Sequence, residues 1–315
     1  MNGVLIIDKP AGLTSHDVVN RVRRILQERS VGHLGTLDPL ATGVLPLVIG
    51  NLTRVAQFYT SSEKTYEGTI RFGFATDTYD AEGEPTSPAQ AVALSLDEVQ
   101  QLANRFQGTI EQTPPPFSAK KIQGVPAYKL ARKHAQVALK PVQVEVKEFE
   151  ITQLDVHAGL SEQSSAGSLA TFRARVASGT YMRSVAHDMG QQIGCGAHLQ
   201  SLRRTAVGEF ELADAHTLEE LATAYESGQA EALFVHPRKL LPKFPSVTAN
   251  EEMAARIRTG RPVNLPDLSQ ARLVKVFAGQ RELIAIATRV AGTLFHAKIV
   301  LAGEATPQLV GNDKR

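Results

Sequence analysis

The 315-residue chain is 43% hydrophobic and 21% charged, a balance that argues against disorder and against a membrane class; its length suits two domains. The single Cys195 cannot form a disulfide within the chain, which fits a reducing compartment. The net charge of +2 is uneven: residues 1–235 carry 21 Lys+Arg against 26 Asp+Glu, and residues 236–315 carry 13 against 6. A basic C-terminal part on a mildly acidic body points to a polyanionic partner such as nucleic acid.

Val4–Ile7 reads as a buried strand running into the turn Asp8-Lys9-Pro10-Ala11-Gly12. This short apolar run suits neither a signal peptide nor a spanning helix, so a cytoplasmic location with no membrane contact is expected. Thr14 or Ser15 caps a helix whose stripe is Val18, Val22, Ile25 and Leu26. Gly32–Gly43 follows, with three glycines and Pro39 in twelve residues, and reads as a shaped loop around Asp38. Pro39 biases Asp38 towards extended geometry; on this stretch alone, a turn-capping aspartate competes with a functional one. Val44–Ile49 is a strand with Pro46 placed near an edge or bulge, and Leu52, Val55, Ala56 and Tyr59 suit a short helix.

Lys64–Phe74 alternates, with Tyr66, Gly68, Ile70, Phe72 and Phe74 on one face. Asp77, Asp80 and Glu82 lack the ligand pattern of a calcium loop. A Pro/Ala/Ser-rich linker over 87–95 precedes a helix with stripe Leu96, Val99, Leu102 and Phe106, opened by a Ser95/Glu98 capping box. Residues 113–133 form an extended cationic stretch, with Lys120, Lys121 and Arg132 as candidate RNA-backbone contacts or as an ordinary solvated face. Val142–Val146 and Leu169–Ala177 are strands, and the second turns at Ser178–Thr180 into a helix bearing Val185, Met189 and Ile193. That corner presents Tyr181 and Arg183 together. Pro-rich 236–245 reads as a linker to a small β-rich module. Strands and helices do not alternate as βαβ units, so the class is α+β with a mixed, largely antiparallel sheet.

The nine histidines show no metal spacing, and neither a Gly-x-Ser-x-Gly elbow nor a phosphate-loop Lys motif occurs. A carboxylate can still act as a covalent nucleophile when an arginine orients it and keeps it ionised.

Five ordered motifs carry a resemblance: Asp8-Lys9-Pro10-x-Gly12-x-Thr14-Ser15, Gly32–Gly43, Lys64-Thr65-Tyr66, Ser178-Gly179-Thr180-Tyr181-x-Arg183, and Gly196-Ala197-His198-Leu199-x-x-Leu202-Arg203-Arg204. Over most of residues 3–240 the chain resembles bacterial tRNA pseudouridine-55 synthases of the TruB type. The resemblance implies a pseudouridine synthase fold over 1–238, followed by a PUA-like RNA-binding domain over 239–315. It implies isomerisation of a uridine in the TΨC loop of tRNA by a monomer, without cofactor, metal or obligate protein partner. Asp38 would be the nucleophile, attacking C1′ or C6 or assisting a glycal route, with Arg183 as its partner. Tyr66 would stack on the flipped uracil and is a candidate to take the C5 proton. Tyr181 and Leu202 would line the pocket, His33 would enter the RNA loop, and Lys9 and Pro10 would support the site. A tRNA-folding chaperone without chemistry and a guide-RNA-dependent synthase subunit are the competing readings.

Overall fold

The computed structural model describes residues 1–118, 121–122, 125–126, 139–157 and 167–301. The apolar N-terminal run forms β1 (Gly3–Lys9), followed by α1 (Ser15–Leu26), β2 (Val31–His33) and β3 (Thr42–Ile49). Thr14 caps α1 by accepting from the Asp17 N–H while the Asp17 carboxylate takes the Thr14 N–H, and Val18, Val19, Val22 and Leu26 turn inward. After a 3-10 segment at Gly50–Phe58 come β4 (Lys64–Phe72), α2 (Leu96–Arg105) and β5 (Gly108–Gln112). Leu96, expected on the buried stripe of α2, is instead 44% exposed at its first turn. Short strands β6 (Lys121–Ile122) and β7 (Val125–Pro126) pair with each other. Then come β8 (Val142–His157), β9 (Gly167–Val176), α3 (Met182–Ile193), β10 (Ala197–Val207), β11 (Phe210–Glu211) and α4 (Leu218–Glu226).

The first sheet runs β1-β3-β10-β4-β9-β8-β5, with β2 also on β3 and β11 on β10. Its pairings are antiparallel except where β10 meets β3, so the α+β class with a mixed, largely antiparallel sheet holds. Pro46 lies on an interior strand, in the gap between Thr42–Gly43, paired to β10, and Leu47–Ile49, paired to β2. Leu34, just past β2, stands opposite Pro46 and donates its N–H to the Pro46 carbonyl at 2.9 Å, so the missing N–H costs one bond at the end of that ladder.

Helices α1, α2 and α3 cover one face, packing Val18, Val99 and Val185 onto Leu5, Phe72 and Phe172. On the other face, Val4, Ile6, Val44 and Phe210 pack against Phe277, Ile286 and Ile299 of a second sheet. That sheet comprises β12 (Ser246–Ala249), β13 (Val263–Asn264), β14 (Leu273–Ala278), β15 (Glu282–Ala291) and β16 (Leu294–Val300), in the order β12-β14-β15-β16-β13. It is covered in turn by α5 (Glu251–Arg258).

The Pro-rich 236–245 segment, expected as a linker, is packed in place. Leu240 and Leu241 are buried, Lys275 Nζ donates to the carbonyls of Arg238 (3.0 Å) and Leu240 (2.6 Å), and the Leu241 N–H donates to Glu209 Oε1 (2.9 Å). No described helix is long and apolar enough to cross a membrane.

Candidate active site

The loop between β2 and β3 is held from three sides. Ser15 at the start of α1 bonds both polar groups of the Leu37 backbone, donating to its carbonyl at 3.1 Å and accepting its N–H at 2.8 Å. Lys9, wholly buried at the end of β1, donates to the carbonyls of Pro10 (2.8 Å), Leu13 (2.6 Å) and Pro39 (3.2 Å). Arg204 on β10, also buried, donates to Val44 (2.8 Å), Thr36 (3.1 Å) and Gly35 (3.0 Å). A side chain at Gly43 would collide with the Arg204 carbonyl, and its φ of +100° is a glycine conformation, so the close parallel approach of β3 and β10 requires it. Buried carbonyls are costly to leave unpaired, so these donors define the loop as much as its prolines and glycines do.

Asp38 stands at the centre of that loop and turns its carboxylate to Arg183, the second residue of α3, rather than to its own backbone. Arg183 Nε lies 2.9 Å from Oδ2, and Nη2 donates to Oδ1 at 3.1 Å. The guanidinium also donates to the carbonyls of Phe117 (3.0 Å) and Thr78 (3.2 Å), and Nη1 lies 3.4 Å from Asp80 Oδ2. The Arg183 side chain is 5% exposed and that of Asp38 is 36% exposed, so the acid is reachable and its partner is not. Burial among protein atoms below the cavity mouth pushes the Asp38 carboxyl above its ordinary range. Arg183 opposes this, Asp80 adds to it and Lys9 opposes it.

A cavity of about 250 Å³ opens over Asp38. Tyr66, 8% exposed on β4, forms one wall, beside Leu202 on β10; Tyr181, Lys64 and Arg204 complete it. The register explains the grouping: Tyr66 pairs with Arg204 and Gly68 with Leu202, so these residues of β4 and β10 lie side by side. Burial, and next the Asp38 charge, raise the Tyr181 phenol, while burial, and next Arg204, lower Lys64 to about 8.

His33, at the end of β2, lines a second cavity of about 730 Å³ with Thr14, His16 and Glu82; Asp38 and Arg183 border both spaces. Burial, and then the Arg204 charge, hold its imidazole below the usual range, favouring the neutral ring.

Asp38, Arg183, Tyr66, Tyr181 and Leu202 thus meet at one cavity, with His33 next to it. Lys9 touches neither cavity and acts through the Pro39 carbonyl, and Pro10 is exposed at the turn beside it. Lys120 and Arg132 lie outside the described residues, as does the Lys121 side chain.

Sequence reasoning missed Asp80 and Arg204. Asp80 drew notice only in an acidic run that lacks the pattern of a calcium loop, yet it is 4% exposed, with Oδ1 taken by the Thr78 hydroxyl (2.6 Å) and the Glu82 N–H (3.1 Å), leaving Oδ2 for Arg183. Its closely spaced threonines were the available local signal. Among the described residues no three His, Cys, Asp or Glu side chains converge as metal ligands. The chemistry offered is a carboxylate clamped by an arginine beneath a cavity with aromatic walls, an arrangement that can supply a nucleophile.

Known proteins resemble this chain over most of its length. Residues 23–182 match the TruB family pseudouridylate synthase N-terminal domain, and residues 183–241 match the tRNA pseudouridylate synthase B C-terminal domain. The chain is 50% identical over 305 residues to tRNA pseudouridine synthase B of Solibacter usitatus (strain Ellin6076), covering 96% of this chain and all of that one. It is 39% identical over 277 residues to the protein of that name from Aquifex aeolicus (strain VF5), covering 88% of this chain and 92% of that one. Among solved structures, a chain of a Cbf5-Nop10-Gar1 complex superposes with a TM-score of 0.69 at 25% identity, over 95% of this chain and 85% of that one. With a carboxylate clamped in a tyrosine-lined cavity and both family models matched in order, this chain belongs to the TruB family of pseudouridylate synthases.

Proposed function

We propose that this protein converts uridine 55 in the TΨC loop of tRNA to pseudouridine, with Asp38 as the nucleophile. The observation that carries the reading is the Asp38–Arg183 pair, two contacts of 2.9 and 3.1 Å, at the floor of the cavity walled by Tyr66. In the net reaction the N1–C1′ bond breaks and a C5–C1′ bond forms. The C5 proton leaves and N1 gains a proton, so no redox partner is called for. The target base must first leave the stack, at a cost of a few kcal/mol that stacking on Tyr66 and phosphate contacts offset. Tyr181 and Leu202 confine the ring, His33 enters the RNA loop and helps hold the displaced stack, and Lys9 with Pro10 steadies the chain around Asp38. Lys120, Lys121, Arg132 and the basic PUA-like part from residue 239 bind RNA phosphates. The protein acts as a cytoplasmic monomer.

The test is tritium release from a T-arm stem-loop carrying 5-tritiated uridine, with no other protein or RNA added. Release that vanishes when the target uridine is replaced by cytidine supports the reading. No release from the intact stem-loop rejects activity on free tRNA. Release only in the presence of a guide RNA and accessory proteins would favour the guide-dependent alternative.

A further inference from the structure

Residues 76–84 form a strap laid across the start of α3. Backbone bonds dock it on β10: Leu199 N–H donates to the Tyr79 carbonyl at 3.0 Å, and Ala81 N–H donates to the Leu199 carbonyl at 3.0 Å. Tyr79 is one of three described non-glycine residues with positive φ, at +67°, a conformation costly enough to need support from its surroundings. Its ring stacks on His187 with centroids 3.7 Å apart and planes 12° apart. His187 Nδ1 is buried with no hydrogen-bond partner among the described residues, so through that atom nothing but packing holds the imidazole.

The neighbours of Tyr79 on both sides touch Arg183: Thr78 through its carbonyl at 3.2 Å and Asp80 through its carboxylate at 3.4 Å. Arg183 and His187 are four residues apart on α3, hence on one face of the helix. The strap therefore meets α3 at two points one turn apart, polar at Arg183 and aromatic at His187.

We infer that Tyr79 and His187 are positioning residues which, by stacking, hold the strap at the height where Thr78 and Asp80 aim the Arg183 guanidinium at Asp38. The inference rests on the Asp38–Arg183 reading above. Loss of the stack lets the strap drift, and a shift of about 1 Å at a reacting group can cost about 100-fold in rate. RNA affinity has no reason to change, because neither ring lines the two cavities at Asp38.

Single-turnover tritium release at saturating stem-loop RNA, stem-loop Kd and thermal midpoint decide the matter in the full chain. Tyr79→Ala and His187→Ala should each slow turnover by about 10- to 100-fold with Kd within about twofold of wild type. Tyr79→Phe should recover the rate to within about threefold. In an Arg183→Lys background, Tyr79→Ala should add little, since it acts through Arg183. Should the alanine variants not fold, Tyr79→Leu and His187→Leu keep apolar bulk without the paired rings and carry the same expectations. Unchanged rates, a loss confined to Kd, or an equal loss in the Arg183→Lys background would each overturn the inference. Asp38→Asn in parallel separates the two claims: activity surviving it rejects the nucleophile, whatever the strap variants do.

Discussion

The Arg204 guanidinium reaches from β10 to the Gly35 carbonyl, donating at 3.0 Å, and so ties the centre of the sheet to the loop that presents Asp38. The same side chain holds Thr36 and Val44, while its backbone carbonyl packs against Gly43. One buried arginine thus sets both ends of the loop, and Lys9 sets its middle through Pro39.

Replacing Arg204 with methionine keeps much of the apolar bulk and removes three donors. The stranded carbonyls should cost about 3 kcal/mol or more, read as a lower urea midpoint. Turnover should fall with stability, because the Asp38 loop loses its support. A variant of wild-type stability would show that the carbonyls find other partners.

Lys9 makes a prediction with a definite sign. Burial, opposed by Asp38, lowers its pKa from 10.5 in a free chain to about 8. Between pH 8 and 10.5 the unfolded state therefore binds more protons than the folded one, and stability rises with pH across that window. Below pH 8 both states are charged and the contribution is flat and unfavourable. Lys9→Met should remove this share of the slope in urea unfolding measured from about pH 7.5 to 10, while losing stability throughout through the unpaired carbonyls. An unchanged slope would mean that the ammonium is not desolvated as its burial implies.

The second sheet shares a core with the body, through Phe277, Ile286 and Ile299 against Val4, Ile6 and Phe210. Deleting residues 240–315 should therefore destabilise the remainder, so removing exposed charges is the sounder test of RNA contact. Arg261, Arg272 and Arg281 lie in this part, Arg261 and Arg281 exposed and Arg272 on the stretch leading into β14. Replacing them with alanine should weaken tRNA binding and flatten its salt dependence, by up to about 0.9 in log–log slope for each phosphate no longer neutralised. An unchanged slope would remove this face from the RNA interface.

Much of this arrangement was legible in the sequence. The stripe and capping box of α1 and the alternation of β4 follow from local periodicity, and ordered motifs marked Asp38, Tyr66 and Arg183. The central strand β10 was not legible. Register shifts at Leu199/Ser201 and Arg204/Ala206 break its two-residue period, and its Arg203-Arg204 pair reads as surface although Arg204 is 1% exposed. Asp80 escaped because its partner lies more than a hundred residues away, a distance no local pattern encodes. The 236–245 segment reads as a linker from its prolines, and the burial of Leu240 and Leu241 within it rests on contacts formed only in the folded chain, which no local pattern encodes.

The central proposal is that the carboxylate of Asp38, paired with Arg183, is the nucleophile of the reaction. Asp38→Asn keeps the size and much of the hydrogen bonding of the side chain while removing its charge, so RNA binding should persist. The deciding measurement is single-turnover tritium release from the T-arm stem-loop by wild type and Asp38→Asn, with Kd measured in parallel. The expected result is a loss of at least about 10⁴-fold in rate with Kd nearly unchanged, as when a covalent nucleophile is removed. Asp38→Asn turning over within about tenfold of wild type would contradict it.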